Sequence, residues 1–200
     1  MKKFFTLSML TALVLVGCNK AAAPTTTTPP ADDKAAATTT PVADNAAVAD
    51  APKGCPSTST VAVKADDIDM TVSATNSWYI ENKPEEGTFF FTNYTVDPQS
   101  AWGHTDVGKD ARAYFTVSTT DKTPVANGVW DQAVADSKNK LTAISISGVT
   151  ANRGIIGGKN KLEITYFGSD YVCGTLAIDD GYGSVKGDFI AKYHKWTSSL

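Results

Sequence analysis

The chain has 200 residues, with 21 acidic side chains against 18 basic ones and a formal charge of −3. That balance argues against nucleic-acid binding, which usually needs a concentrated basic surface, and no run of three basic residues occurs. The cysteines stand only at 18, 55 and 173 and the histidines only at 104 and 194, with no Cys-x-x-Cys or His-x-His spacing to suggest a metal centre.

In chain order, Lys2 and Lys3 precede an apolar run from Phe4 to Val16 that closes on Leu15-Val16-Gly17-Cys18. The run is too short to span a bilayer comfortably. A plain membrane anchor also gives no reason for a cysteine after the final glycine. Charge, apolar length and the terminal box together resemble a bacterial lipoprotein signal peptide. The resemblance implies cleavage before Cys18, acylation of Cys18 and a chain held by lipid in the cell envelope, outside the cytoplasm. Several acyl chains anchor far more firmly than one. Asn19 departs from the aspartate that retains lipoproteins of enteric bacteria in the inner membrane. In a Gram-negative cell the resemblance therefore favours the outer membrane, facing the periplasm or the surface.

Residues 19–54 are a different material. Two thirds of them are Ala, Thr or Pro, and none is aromatic. Such a segment cannot bury enough apolar surface to offset the entropy of ordering it. Pro24, Pro29, Pro30 and Pro41 interrupt any helix. The expectation is a disordered tether after the lipidated cysteine, averaging about 30–35 Å as a coil and reaching roughly 110 Å in polyproline geometry.

Residues 55–200 hold all four tryptophans and all seven tyrosines, and read as a single all-β domain. Val61 and Val63 mark a first strand. Ile68, Met70, Val72 and Ala74 alternate with polar residues, and Trp78 and Ile80 continue that face after a bend near Asn76. Pro84 to Gly87 reads as a turn. Phe89, Phe90 and Phe91 cannot all face one way on a strand, so both faces are covered or Phe90 lies under a loop. Residues 97–110 form a polar loop. Ala113, Phe115 and Val117 share a face of the next strand. Asn127-Gly128 is a hairpin signal, and residues 131–140 a loop or one helical turn. Thr142, Ile144 and Ile146 share a face, as do Leu162, Ile164 and Tyr166, and then Val172, Gly174, Leu176 and Ile178. Val185, Gly187, Phe189, Ala191 and Tyr193 alternate in the last strand. Short connections between these strands argue an antiparallel meander of about eight, which hides its edges as a β-sandwich or a closed β-barrel. The sandwich is slightly favoured.

With Cys18 lipidated, Cys55 and Cys173 remain, and an even pair in an oxidising compartment reads as a disulfide. The alternation points Cys173 away from the main core. His104 with Asp106 and Asp110 is a thin metal candidate, and no cofactor motif is present. Asp179-Asp180-Gly181 reads as a turn in which Gly181 supplies the positive φ. No nucleophile elbow and no phosphate loop occurs. These features favour a non-enzymatic binding protein for an envelope protein, a glycan or a small ligand. A hydrolase of envelope polymers, built on a carboxylate pair from distant strands, and a structural envelope-assembly protein are the alternatives. The candidate ligand-binding residues are aromatics near connections: Trp102 first, then Trp130, Tyr182 and Trp78. The competing account of Trp102 is a lid over the hydrophobic end of the domain.

Overall fold

A computed structural model of the chain describes residues 47–149, 152–155, 157 and 159–197. The expected signal segment 1–17, the expected lipidation site Cys18 and the expected tether as far as residue 46 lie outside the described residues. The strands are β1 (Val61–Ala65), β2 (Ile68–Val72), β3 (Ser77–Lys83), β4 (Glu86–Thr92), β5 (Ala111–Thr119) and β6 (Gly128–Asp131). They continue with β7 (Asn139–Gly148), β8 (Asn152–Gly154), β9 (Lys161–Phe167), β10 (Tyr171–Asp179) and β11 (Gly183–Lys195).

Eight of these close into a ring in the order β10-β9-β6-β7-β5-β4-β3-β11, with β11 pairing back onto β10. The domain is therefore a closed all-β barrel. The β1–β2 hairpin extends from β11 and β8 pairs with β7, both outside the ring. The ring is antiparallel except at two seams. β3 runs parallel to the end of β11, from Lys192↔Trp78 to Lys195↔Glu81, and β6 meets β7 through the single parallel pair Asp131↔Lys140. β11 makes the first seam possible by its length of 13 residues. It pairs with β1 over Gly183–Lys186 and takes up β3 from Lys192 onwards.

The interior is filled by side chains. Tyr79, Phe89, Phe91, Phe115, Trp130 and Phe189 all point inward and are fully buried. Phe89 packs against Phe115 at 5.3 Å and edge-on against Phe189 at 5.3 Å between ring centroids. Gly87 is required by this packing. A β-carbon there would lie 2.2 Å from the Tyr79 ring.

Four local expectations change. Between β2 and β3 a short 3-10 helix, Ala74–Asn76, reverses the alternation, so Tyr79 turns inward and Trp78 and Ile80 face outward. In β7, Ala143 adopts φ 50° where the pairing with β5 slips. This bulge puts Leu141 in the core with Ile144 and Ile146, and leaves Thr142 exposed. A second slip between β9 and β10 turns Tyr166 outward and Phe167 towards the core. Asn127-Gly128 forms no hairpin. Residues 120–127 cross the barrel end, with Val125 N–H bonded to Pro84 O at 2.8 Å, and Gly128 opens β6 against β9.

Cys55 and Cys173 are joined, 118 residues apart. Cys173 lies on the outer side of β10, in a cluster with Ala74 and Ile190 that Val48, Ala51 and Cys55 cover. The covering strap includes residues from the stretch read as tether. Val48 N–H bonds to Ser57 O at 2.8 Å, so the ordered domain already includes residues 47–54. Small apolar side chains at 48 and 51 supply that contact.

Candidate functional site

Because the barrel interior is occupied, any contact surface must be built outside it. The outward faces of β3, β4, β5 and β7 form two rows set by strand register. One row is Trp78, Phe90, Tyr114 and Ser145. The next is Ile80, Thr88, Thr116 and Thr142. The first carries aromatic rings. The second carries hydroxyls joined across strands, with Thr88 and Thr116 Oγ1 atoms 3.3 Å apart and Asn82 Nδ2 donating to Thr88 Oγ1 at 3.1 Å.

The loop between β4 and β5 lies on the aromatic row. It contains a short 3-10 helix, Pro98–Gly103. Asp97 caps it by accepting from Gln99 N–H at 3.0 Å, and Pro98 begins it, where a missing N–H costs nothing. Val96 and Ala101 are buried beneath the loop with Phe90 and Ile80. This is how three consecutive phenylalanines are accommodated: two fill the barrel and Phe90 lies under the loop.

Polar contacts fix the loop at several points. Arg112 Nε donates to Ser147 Oγ at 3.0 Å and Nη1 to Ala101 O at 3.3 Å, while Nη2 stands 3.8 Å from Asp106. Asn93 accepts from Ala111 N–H and donates to Lys109 O, both at 2.8 Å. The Gln99 amide nitrogen donates to His194 Nε2 at 2.7 Å, so that histidine is held under the loop rather than solvated. His104 stacks on Tyr94 with centroids 4.0 Å apart and bonds to Asp110 at 3.1 Å. Burial pushes the Tyr94 hydroxyl up to about 12, against the opposing pull of Arg112.

His104, Asp106 and Asp110 do not converge as metal ligands, because Asp106 faces Arg112. Among the described residues no group of three or more His, Cys, Asp or Glu side chains is placed to hold a metal ion.

Trp102 rides at the end of the 3-10 helix. Its ring meets Phe90 edge-on at 4.8 Å and Tyr114 edge-on at 5.3 Å, yet the residue is 48% exposed. It is both a partial cover for Phe90 and a large ring offered to solvent. Trp78 borders the same cluster, half-buried, with Lys192 Nζ over its ring at 5.3 Å. The structure brings these two tryptophans onto one face.

The other two candidates are elsewhere. Trp130 is 1% exposed inside the barrel, because β6 is a ring strand and not the arm of an exposed hairpin. Its ring is core packing and offers no surface to a partner. Tyr182 is 76% exposed in the β10–β11 turn, beneath the Arg153 guanidinium at 4.8 Å. The turn is as expected from its sequence: Gly181 has φ 86°, and Asp180 accepts from Tyr182 and Gly183 N–H. Burial raises the Asp180 carboxyl, but these two amides and Arg153 outweigh it and hold the group below its ordinary value. Tyr182 borders an open trough of about 380 Å³ between the β1–β2 and β10–β11 turns. Of the carboxylates around it, Asp69 pairs with Lys64 and Asp179 with Lys186, while Asp66 and Asp180 share Arg153.

Sequence reasoning missed Arg112, Gln99, Tyr114 and His194 as parts of this face. Only register and loop docking assemble them. The usable signal was the Phe89-Phe90-Phe91 run, which demands cover on two faces. Comparison of the chain with protein-family models, curated proteins and solved structures gives no match.

Proposed function

We propose that this protein is a cell-envelope lipoprotein, acylated at Cys18, that presents its barrel as a non-enzymatic binding domain. The contact surface is the outer aromatic face around Trp102. The lipid anchor rests on the sequence of residues 1–18. Asn19 favours placement in the outer membrane of a Gram-negative cell. The proline-rich segment after it gives the barrel reach from the lipid surface.

The observation that carries the binding reading is Trp102 itself. A tryptophan standing half-exposed on two aromatic rings, in a loop held by several side-chain contacts, offers a large ordered contact area at little further entropic cost. Trp102→Ala tests it. Capture of envelope components by the intact chain is expected to fall by about 30-fold, the equivalent of roughly 2 kcal/mol. The melting temperature is expected to move by less than about 4 °C. A large melting change with unaltered capture would make Trp102 a lid and remove the proposed surface. Loss of acyl labelling in Cys18→Ser is the matching check on the anchor.

A further inference from the structure

We infer that the Trp102 face recognises a neutral glycan. This rests on the contact surface proposed above and narrows it to one ligand chemistry.

Charge is the first argument. One residue in five of the chain is charged. Of the two central outward rows, Phe90, Ser145, Ile80 and Thr88 are buried, and the four positions that reach the surface, Trp78, Tyr114, Thr116 and Thr142, are all uncharged. The only charged side chain of β5, Arg112, lies one row away and is committed to Ser147, Ala101 O and Asp106. A surface built for an anionic polymer would bring unpaired cations to its centre, and one for a cationic partner would bring carboxylates. One cation does reach this face, Lys192 over the Trp78 ring, but the rows beside Trp102 bring neither cation nor carboxylate.

Geometry is the second. A sugar ring has apolar C–H faces and a polar rim of hydroxyls. It therefore needs an aromatic plane beside groups that can both donate and accept. Trp102 supplies the plane above Tyr114. The row of Thr88, Thr116 and Thr142 lies two residues further along the strands, about 7 Å away. Thr116 is half-buried and Thr142 exposed, and each hydroxyl can donate and accept at once. Asn82 adds an amide at the end of that row. An apolar protein anchor would want a greasy floor next to the tryptophan; here the floor changes from rings to hydroxyls within one row.

Occupation of the interior is the third. Aromatic side chains fill the barrel, so a ligand enclosed on all sides has no place there. An extended polymer lying across an outer face needs no such enclosure.

The test uses the intact chain and two neutral probes, a tetramer of N-acetylglucosamine and maltoheptaose, with polygalacturonate as the anionic control. Tryptophan fluorescence reports binding. At least one neutral probe is expected to saturate below about 10 mM. Trp102→Ala should weaken it about tenfold or more, and Thr116→Val, which removes a hydroxyl while keeping the side-chain shape, about threefold. Melting curves of both variants confirm that they are folded. Saturation by neither neutral probe, tighter binding of polygalacturonate, or indifference to both substitutions overturns the inference. Envelope capture run in parallel separates the two levels. If capture depends on Trp102 while the neutral probes fail, the contact surface stands and the ligand class is wrong. If neither depends on Trp102, both fall.

Discussion

Phe89 and Phe90 are neighbours in sequence with opposite fates, and they mark the two aromatic regions of this protein. Phe89 belongs to the barrel interior, where rings from four strands pack against one another and strands of the ring surround them. Phe90 belongs to the outer cluster, sealed on one side by the sheet and on the other by a single loop. The chemistry of the two regions is alike. What differs is how much structure must move to expose them. Opening the first requires breaking the ring; opening the second requires lifting residues 97–110.

That difference sets a hierarchy of effects. Phe89→Ala should be the most damaging, costing about 3–5 kcal/mol because the surrounding strands cannot collapse into the space. Phe90→Ala should cost visibly less, since the loop can settle inward. Urea denaturation of both variants measures the contrast, and equal losses would mean that the loop is as rigid as the wall. Removing the Cys55–Cys173 bridge in Cys173→Ala follows, with a typical cost of about 2–5 kcal/mol for a domain of this kind. The loss should appear as a lower melting temperature for a barrel with unchanged far-ultraviolet circular dichroism.

Arg112→Met sharpens the contrast further. It keeps much of the side-chain bulk and deletes the contacts to Ser147, Ala101 O and Asp106. A loss of about 1–3 kcal/mol is expected, together with faster proteolysis within residues 97–110. Cleavage elsewhere first would show that Arg112 supports the wall and not the loop.

The smallest effect is alkaline. Burial, reinforced by the hydrogen bond and charge of Glu81, pushes the Tyr193 hydroxyl up to about 12 at the barrel's rim, as burial pushes Tyr94 up to about 12 outside it. An unfolded tyrosine ionises near 10. Both groups therefore add stability that is complete below about pH 10 and is lost as pH rises through 12. Tyr193→Phe should flatten part of that decline in a pH series of melting curves, and an unchanged slope would exclude Tyr193 as a contributor.

Much of the barrel was legible because strand alternation is a local signal. β2, β5 and β11 bury the faces their sequences indicate. The disulfide followed from cysteine count and the compartment that the signal resemblance implies, and the outward side of Cys173 from parity alone. What failed were the places where parity breaks. The 3-10 turn before Ser77, the bulge at Ala143 and the slip opposite Cys173 each invert the pattern, and none has a residue signature strong enough to announce it. Asn127-Gly128 misled for a related reason: turn propensity is local, whereas β6 is recruited by β9 more than thirty residues later. Closure into a ring depends on the parallel seam of β3 with β11, a pairing between opposite ends of the domain. The site was half legible. Trp102 could be picked out as an aromatic in a polar loop, but its floor of Phe90 and Tyr114 exists only through register.

The bridge between Cys55 and Cys173 has a mechanical consequence. Tension arriving from the N-terminal side first meets the strap at Val48 and Ala51, and once past it runs from Cys55 through sulfur directly into the first part of β10. The 118-residue interval between the cysteines is thereby shielded from the load. Fully drawn out, that interval would lengthen the chain by roughly 400 Å. With the bridge intact, that slack stays locked away and β1 cannot be peeled from β11 as the first step. Pulled from its N-terminal side, the barrel would then act as a hard stop: it resists the load without paying out chain.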